Sequence, residues 1–147
     1  MLNKFILVLI ILLFVSFFLF SSKNKLGHVN GKLKDCPGTP NCVSTQSADE
    51  MHLIEPIKFE GTLENAKEKI IKIIESLPRT KIIKEDHNYI HATFTSKIMK
   101  FVDDVEFYFD AENALIHFRS ASRVGISDMG VNRKRMEEIR ALYENKK

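Results

Sequence analysis

Between Phe101 and Arg135 the sequence reads FVDDVEFYFDAENALIHFRSASRVGISDMGVNRKR. Acidic residues cluster in its first part and basic ones in its second, so opposite charges can pair across it. Asp103, Asp104 and Glu106 precede a basic, hydroxyl-rich set made of Arg119, Ser120, Ser122, Arg123, Asn132, Arg133 and Arg135. These residue types allow three kinds of chemistry. Carboxylates and guanidinium groups can pair into ladders that hold a hairpin to a neighbouring element. An acid on an apolar face would need such a partner, because an unpaired buried carboxylate is costly. Guanidinium forks and hydroxyls beside a helix N-terminus can instead hold a phosphate or carboxylate. That makes the basic set the candidate ligand-binding residues, for an anionic ligand or a protein partner. Third, His91 or His117 with Glu106 has the composition of an acid–base pair, and a hydrolase-like enzyme is the alternative reading. No G-x-S-x-G elbow, H-E-x-x-H segment or Gly-rich phosphate loop accompanies them, so no catalytic residue, metal ligand or cofactor is assigned. One substitution separates the first two readings. Arg123→Ala abolishes binding with little change in Tm if the set is a ligand site, and destabilises the fold if it is a scaffold.

The elements that position these groups follow from hydrophobic period. Phe101 to Phe109 alternates, with Val105, Phe107 and Phe109 on one face and Asp104, Glu106 and Tyr108 on the other. After a turn at Asp110 to Ala114, Ile116 and Phe118 continue the apolar face, with His117 and Arg119 opposite. Pairing Phe109 with Ile116 then sets Tyr108 against His117 and Glu106 against Arg119. Arg79 to Glu85 and Tyr89 to Ser96 read as two further strands around an Asp86-His87-Asn88 turn. Met51 to Glu60 reads as an edge strand carrying Pro56. Leu63 to Leu77 has apolar residues at helical intervals, Thr62 as N-cap, Glu64 in the first turn and Pro78 as stop. From Asp128 onward the chain turns helical, with Met136, Ile139, Leu142 and Tyr143 as its buried stripe. The order β-α-β-β-β-β-α predicts an α+β domain. It would have two layers, an antiparallel sheet of about five strands with two helices on one face.

Composition narrows the class. The chain has 147 residues, 44% hydrophobic and 28% charged, which is the range of a folded domain. Its 22 basic and 19 acidic side chains leave a net charge of +3, too balanced to point to nucleic acid.

Phe5 to Phe20, FILVLIILLFVSFFLF, carries no charge, and Ser16 is its one polar residue. Extended back to Met1 it can reach about 20 residues, roughly 30 Å of helix, close to a bilayer core. Cleavage after Ser21 or Ser22 would leave Leu19 or Phe20 three residues before the cut, where small residues are wanted. Residues 1–22 therefore read as a single-pass membrane anchor, with a cleaved signal as the alternative. Residues 23–35 read as a linker and 36–144 as the α+β domain. The charges and the cysteines disagree on orientation. Lys23, Lys25, Lys32 and Lys34 against Lys4 would keep the domain cytoplasmic. Cys36 and Cys42, the only cysteines, flank a Pro- and Gly-rich turn that can bring them within disulfide reach. A disulfide belongs to an oxidising compartment. A metal site would need two more ligands, and a redox pair is usually more closely spaced. The expectation is an extracytoplasmic domain with the bilayer as its partner through the N-terminal segment.

Three blocks, CPGTPNCVSTQ, FVDDVEF and IHFRSASRVGISDMGVNRKRMEEIR, resemble the signature blocks of the domain-of-unknown-function 1499 family. The resemblance covers about Cys36 to Leu142. It implies a small domain that often follows a signal or membrane segment, and it brings no activity.

Overall fold

The computed structural model of the chain describes residues 26–145. The membrane-anchor reading of residues 1–22 lies outside them. In chain order the elements are β1 (His28–Val29), β2 (Lys32–Leu33), β3 (Cys42–Ser44), β4 (Ile57–Lys58), α1 (Leu63–Ser76), β5 (Thr80–Asp86), β6 (Tyr89–Thr95), β7 (Val102–Asp110), β8 (Leu115–Ser122) and α2 (Val131–Glu144). Among the described residues no helix is long and apolar enough to cross a membrane.

The domain is α+β. Strands β5, β6, β7 and β8 form an antiparallel meander, and β3 and β4 both pair along the outer edge of β8. The sheet thus has six strands, not about five. The β7–β8 register is the expected one: Phe109 faces Ile116, Tyr108 faces His117 and Glu106 faces Arg119. Strict alternation sets it, because a one-residue slip would turn Phe107 and Phe118 away from the core. Asp110 Oδ1 accepts from the backbone N–H groups of Glu112 and Asn113, at 3.1 Å each, and shapes the connecting turn.

Both helices pack on the apolar face of the sheet. Ile70 and Ile74 of α1 and Met136 and Ile139 of α2 are fully buried against Ile90, Val105, Phe107, Ile116 and Phe118. Each such side chain contributes about 1.5–3 kcal/mol of burial. Thr62 caps α1, its Oγ1 accepting from Asn65 N at 3.2 Å. Helix α2 begins at Val131, three residues later than expected: Gly130, at φ 79°, is its N-cap, and Asp128 stays outside the helix, its Oδ2 accepting from Asn132 N at 2.8 Å. In α2 the buried stripe is Asn132, Met136, Ile139 and Tyr143; Leu142, expected inside, is 40% exposed.

Two differences from the sequence reading shape the site. The stretch Met51 to Glu60 pairs as a strand only at Ile57 and Lys58. His52 O accepts from Ser44 N at 2.9 Å, and four more of its carbonyls are taken by arginines of α2. Arg133 donates to Met51 O and Leu53 O, both at 2.9 Å, and Arg140 donates to Pro56 O at 2.8 Å and to Glu55 O. Charged forks substitute for a neighbouring strand. Second, the stretch read as a linker contains the β1–β2 hairpin, which lies on the polar face of the sheet. Gly27 N donates to Glu106 Oε1 at 2.7 Å, Leu33 N to Gln46 Oε1 at 2.8 Å, and the His28 ring lies 4.5 Å from that of Tyr108. Cys36 and Cys42 form a disulfide with Cα atoms 5.7 Å apart, tying the end of the hairpin to β3.

Candidate functional site

The polar face of the sheet is an interior. Glu106 and Arg119, cross-strand partners on β7 and β8, are both 0% exposed. Arg119 Nη1 donates to Glu106 Oε2 at 3.1 Å. Tyr89 Oη donates to Glu106 Oε1 at 2.8 Å, the oxygen that Gly27 N also reaches. Burial and the adjacent Glu106 carboxylate push the Tyr89 hydroxyl well above the ordinary phenol range, so it remains a donor. Glu106 therefore accepts three hydrogen bonds, one of them from a guanidinium. That is the arrangement of a structural carboxylate, with no lone pair directed at a substrate.

One rung toward the other end of β7, His91 Nε2 lies 2.8 Å from Asp104 Oδ1. Arg123 closes on the same carboxylate, Nη2 to Oδ1 at 2.8 Å and Nε to Oδ2 at 2.9 Å. Burial alone would raise the Asp104 pKa; the His91 hydrogen bond and the Arg123 fork outweigh it and lower it to about 2. His117 lies on the far flank, its Nδ1 3.1 Å from Thr45 Oγ1. Burial holds the His117 pKa below its usual value, against the pull of Asp110. Neither histidine hydrogen-bonds Glu106, so the acid–base pair considered from sequence does not assemble.

On the helix side of the sheet, Asp103 interrupts the apolar face and meets Arg135 Nη2 at 2.5 Å. Arg135 Nη1 also donates to Asn132 Oδ1 at 2.7 Å and Ser120 Oγ at 3.1 Å. Asn132, fully buried, is the hub. Its Oδ1 accepts from Ser120 Oγ at 2.5 Å, and its Nδ2 donates to Asp128 Oδ2 at 2.7 Å, Ser122 Oγ at 3.1 Å and Asn41 O at 3.2 Å. This network fastens the start of α2 to the end of β8 and to the loop before β3.

The seven basic and hydroxyl residues singled out from sequence thus occupy separate places. Arg119 lies beneath the β1–β2 hairpin. Ser120, Ser122, Asn132 and Arg135 lie between sheet and α2. Arg123 reaches over the edge to Asp104, and Arg133 holds the Met51–Leu53 carbonyls. Asp103, Asp104 and Glu106 each have an arginine partner.

Three contributors had little sequence signal. Asn41 buries its side chain against Gly125 O at 2.6 Å, Tyr89 closes on Glu106, and Gln46 grips the hairpin through Gly31 O at 2.9 Å. Only the position of Asn41 inside the cysteine loop marks it in the sequence. Among the described residues no cluster of His, Cys, Asp and Glu is arranged to hold a metal ion.

An open groove of about 300 Å³ lies where α1 ends and α2 begins. Phe94, Ser96, Arg79, Lys134 and Arg135 line it, with Asp103 at its base and Glu138 on its wall. The Arg135 guanidinium stacks 4.9 Å from the centre of the Phe94 ring, and Arg79 Nε donates to Thr95 O at 3.1 Å. Lys134 is exposed and makes no ion pair among the described residues.

Residues 32–142 match the family described as "Protein of unknown function (DUF1499)". The chain belongs to the DUF1499 family. The match starts inside the hairpin, at β2, and ends in the last turns of α2, so it takes in the disulfide, every ion pair described above on both faces of the sheet, and the groove. No curated protein and no solved structure matches this DUF1499 chain.

Proposed function

We infer that this DUF1499 protein is a membrane-anchored, extracytoplasmic binding module, taking an anionic group in the groove between the ends of α1 and α2. The observation that carries this reading is the convergence of Arg79, Lys134 and Arg135 on one open groove, while the other candidate groups are used internally. Three cations face two acids there, and Arg135 already neutralises Asp103. The surplus is positive, and Phe94 and Ser96 add an apolar wall and a hydroxyl. A phosphate or carboxylate is the chemistry such a site takes. Of the basic residues singled out from sequence this site keeps Arg135 and adds Arg79 and Lys134. The disulfide supports an oxidising compartment, and the apolar N-terminal segment supports attachment to a membrane. The hydrolase-like alternative gains no support: His91 is bound to Asp104 and His117 to Thr45.

The test is a titration of the full chain, held in lipid nanodiscs, with inorganic phosphate and glycerol phosphate, followed by isothermal calorimetry. The Arg79→Gln, Lys134→Gln double variant should bind about tenfold more weakly or worse, with Tm unchanged. Binding equal to that of the parent chain would reject the groove as the site.

A further inference from the structure

Two loops meet at the end of the sheet that carries this groove. The β6–β7 turn reads Ser96-Lys97-Ile98-Met99-Lys100-Phe101, and the β8–α2 loop runs from Arg123 to Gly130. Arg123 N donates to Val102 O at 3.1 Å, and Ser96 and Val131 line the same groove, so the loops are neighbours. Ile98, Met99, Phe101, Ile126, Met129 and Val131 all stand out from this end, Ile98 at 84% and Met129 at 97% exposure. Single exposed apolar residues need no explanation, but five on two adjoining loops, with Val131 at the start of α2, form a patch.

These side chains are held out by built structure. Ser96 N donates to Phe101 O at 2.8 Å and Phe101 N to Ser96 Oγ at 2.9 Å, which closes the turn beneath Ile98 and Met99. Lys100 and Met129 sit at φ 57° and 54°, the left-handed region that is unfavourable for such side chains. Lys97, Lys100 and Lys134 lie among the apolar tips. The one acid of the second loop, Asp128, turns inward to Gly130 N and Asn132. The patch is therefore apolar at its tips and cationic around them.

The direction of the chain adds an independent constraint. Gly27 reaches Glu106, and Gly31 lies beside Tyr108, further from the loops. The return strand leads back to Cys36, bonded to Cys42, which pairs with Ala121 near the loop end. Strand β1 thus runs away from the loops, and the described residues begin at Leu26, on the loop side of Gly31. A stretch of about six residues joins Phe20 to Leu26, a reach of at most about 20 Å.

We propose that this end of the domain docks on a bilayer surface rich in anionic lipid. Ile98, Met99, Phe101, Ile126 and Met129 enter the interfacial region, and Lys97, Lys100 and Lys134 meet the lipid phosphates. The inference rests on the membrane-anchor reading for its geometry: a span ending near Phe20 leaves the loops within reach of the headgroups. The groove would then open at the headgroup level, beside the anionic groups it suits.

The test uses the full chain in nanodiscs of phosphatidylcholine, alone or mixed with phosphatidylglycerol, with a benzophenone amino acid replacing Ile98, Met129 or, at the opposite end, Glu112. Lipid adducts are read by mass spectrometry. The expected result is adducts from positions 98 and 129 but not 112, increased by phosphatidylglycerol. The added Lys97→Glu and Lys100→Glu changes should lower them about tenfold or more in the mixed discs. Adducts at 98 no more abundant than at 112, or adducts to a second protein copy in place of lipid, would overturn the docking. Carbonate washing of liposomes carrying the same chain reads the anchor separately. Chain retained without adducts at 98 rejects the docking alone. Chain washed off yet giving adducts at 98 on phosphatidylglycerol vesicles rejects the anchor and leaves the docking standing, and chain that is washed off without adducts rejects both.

Discussion

Replacing Arg119 with Met tests whether the polar face of the sheet is scaffold. The change keeps side-chain length and removes the charge. Glu106 would keep the hydroxyl of Tyr89 at 2.8 Å and the backbone N–H of Gly27 at 2.7 Å. It would lose its guanidinium partner, at a site where both members of the pair are 0% exposed. Removing one member of a buried pair costs about 3–5 kcal/mol, mostly because the other charge stays behind. In a domain of this size 1 kcal/mol moves Tm by roughly 4 °C, so thermal unfolding should shift down by roughly 10–20 °C. Urea denaturation should report the same loss in free energy. The Glu106→Gln, Arg119→Met double variant should recover about 2 kcal/mol or more, because the introduced amide can still accept from Tyr89 and Gly27 without carrying charge. A single-variant loss below about 1 kcal/mol, or a double variant no better than the single, would refute the reasoning.

Three further outcomes follow from the same contacts. Asp104, lowered from 3.8 to about 2, contributes stability that is fully present above its unfolded pKa and is lost as pH falls through the folded value. Acid titration of stability should therefore show a loss of about 2 kcal/mol between about pH 4 and pH 2 that is missing in Asp104→Asn. Cys36→Ser should cost about 2 kcal/mol, the value for closing so short a loop, and amide exchange should accelerate first in the β1–β2 hairpin. Arg123→Ala should lower stability by only about 1 kcal/mol, since its side chain is 44% exposed, and phosphate binding measured by calorimetry should persist.

The meander and its register are legible because Val105, Phe107 and Phe109 alternate without a break and Asp110 to Asn113 is strong turn chemistry. The same alternation brings Glu106 opposite Arg119 on sequence grounds alone. What alternation does not encode is which side of a sheet meets water. His91, Glu106 and Arg119 look like a solvated face until the β1–β2 hairpin covers them. That hairpin has two-residue strands in a polar, glycine-containing segment, too short for any period to register. Strand β3, three residues following the disulfide loop, escapes the pattern for the same reason. Met51 to Glu60 carries a strand-like pattern, yet Arg133 and Arg140, some 80 residues further along the chain, take its carbonyls. The groove is not legible either. Arg79, Ser96 and Lys134 come from separate parts of the chain and meet only because α1 ends and α2 begins on the same face of the sheet.

That this is a domain working outside the cytoplasm, its polar face clamped by a disulfide, can be tested in intact cells with a membrane-impermeant thiol label. Cys36, the more exposed of the pair, should react only after an impermeant reductant is added, and without lysis. Thiols that react without reduction, and only after the cells are opened, would contradict the account.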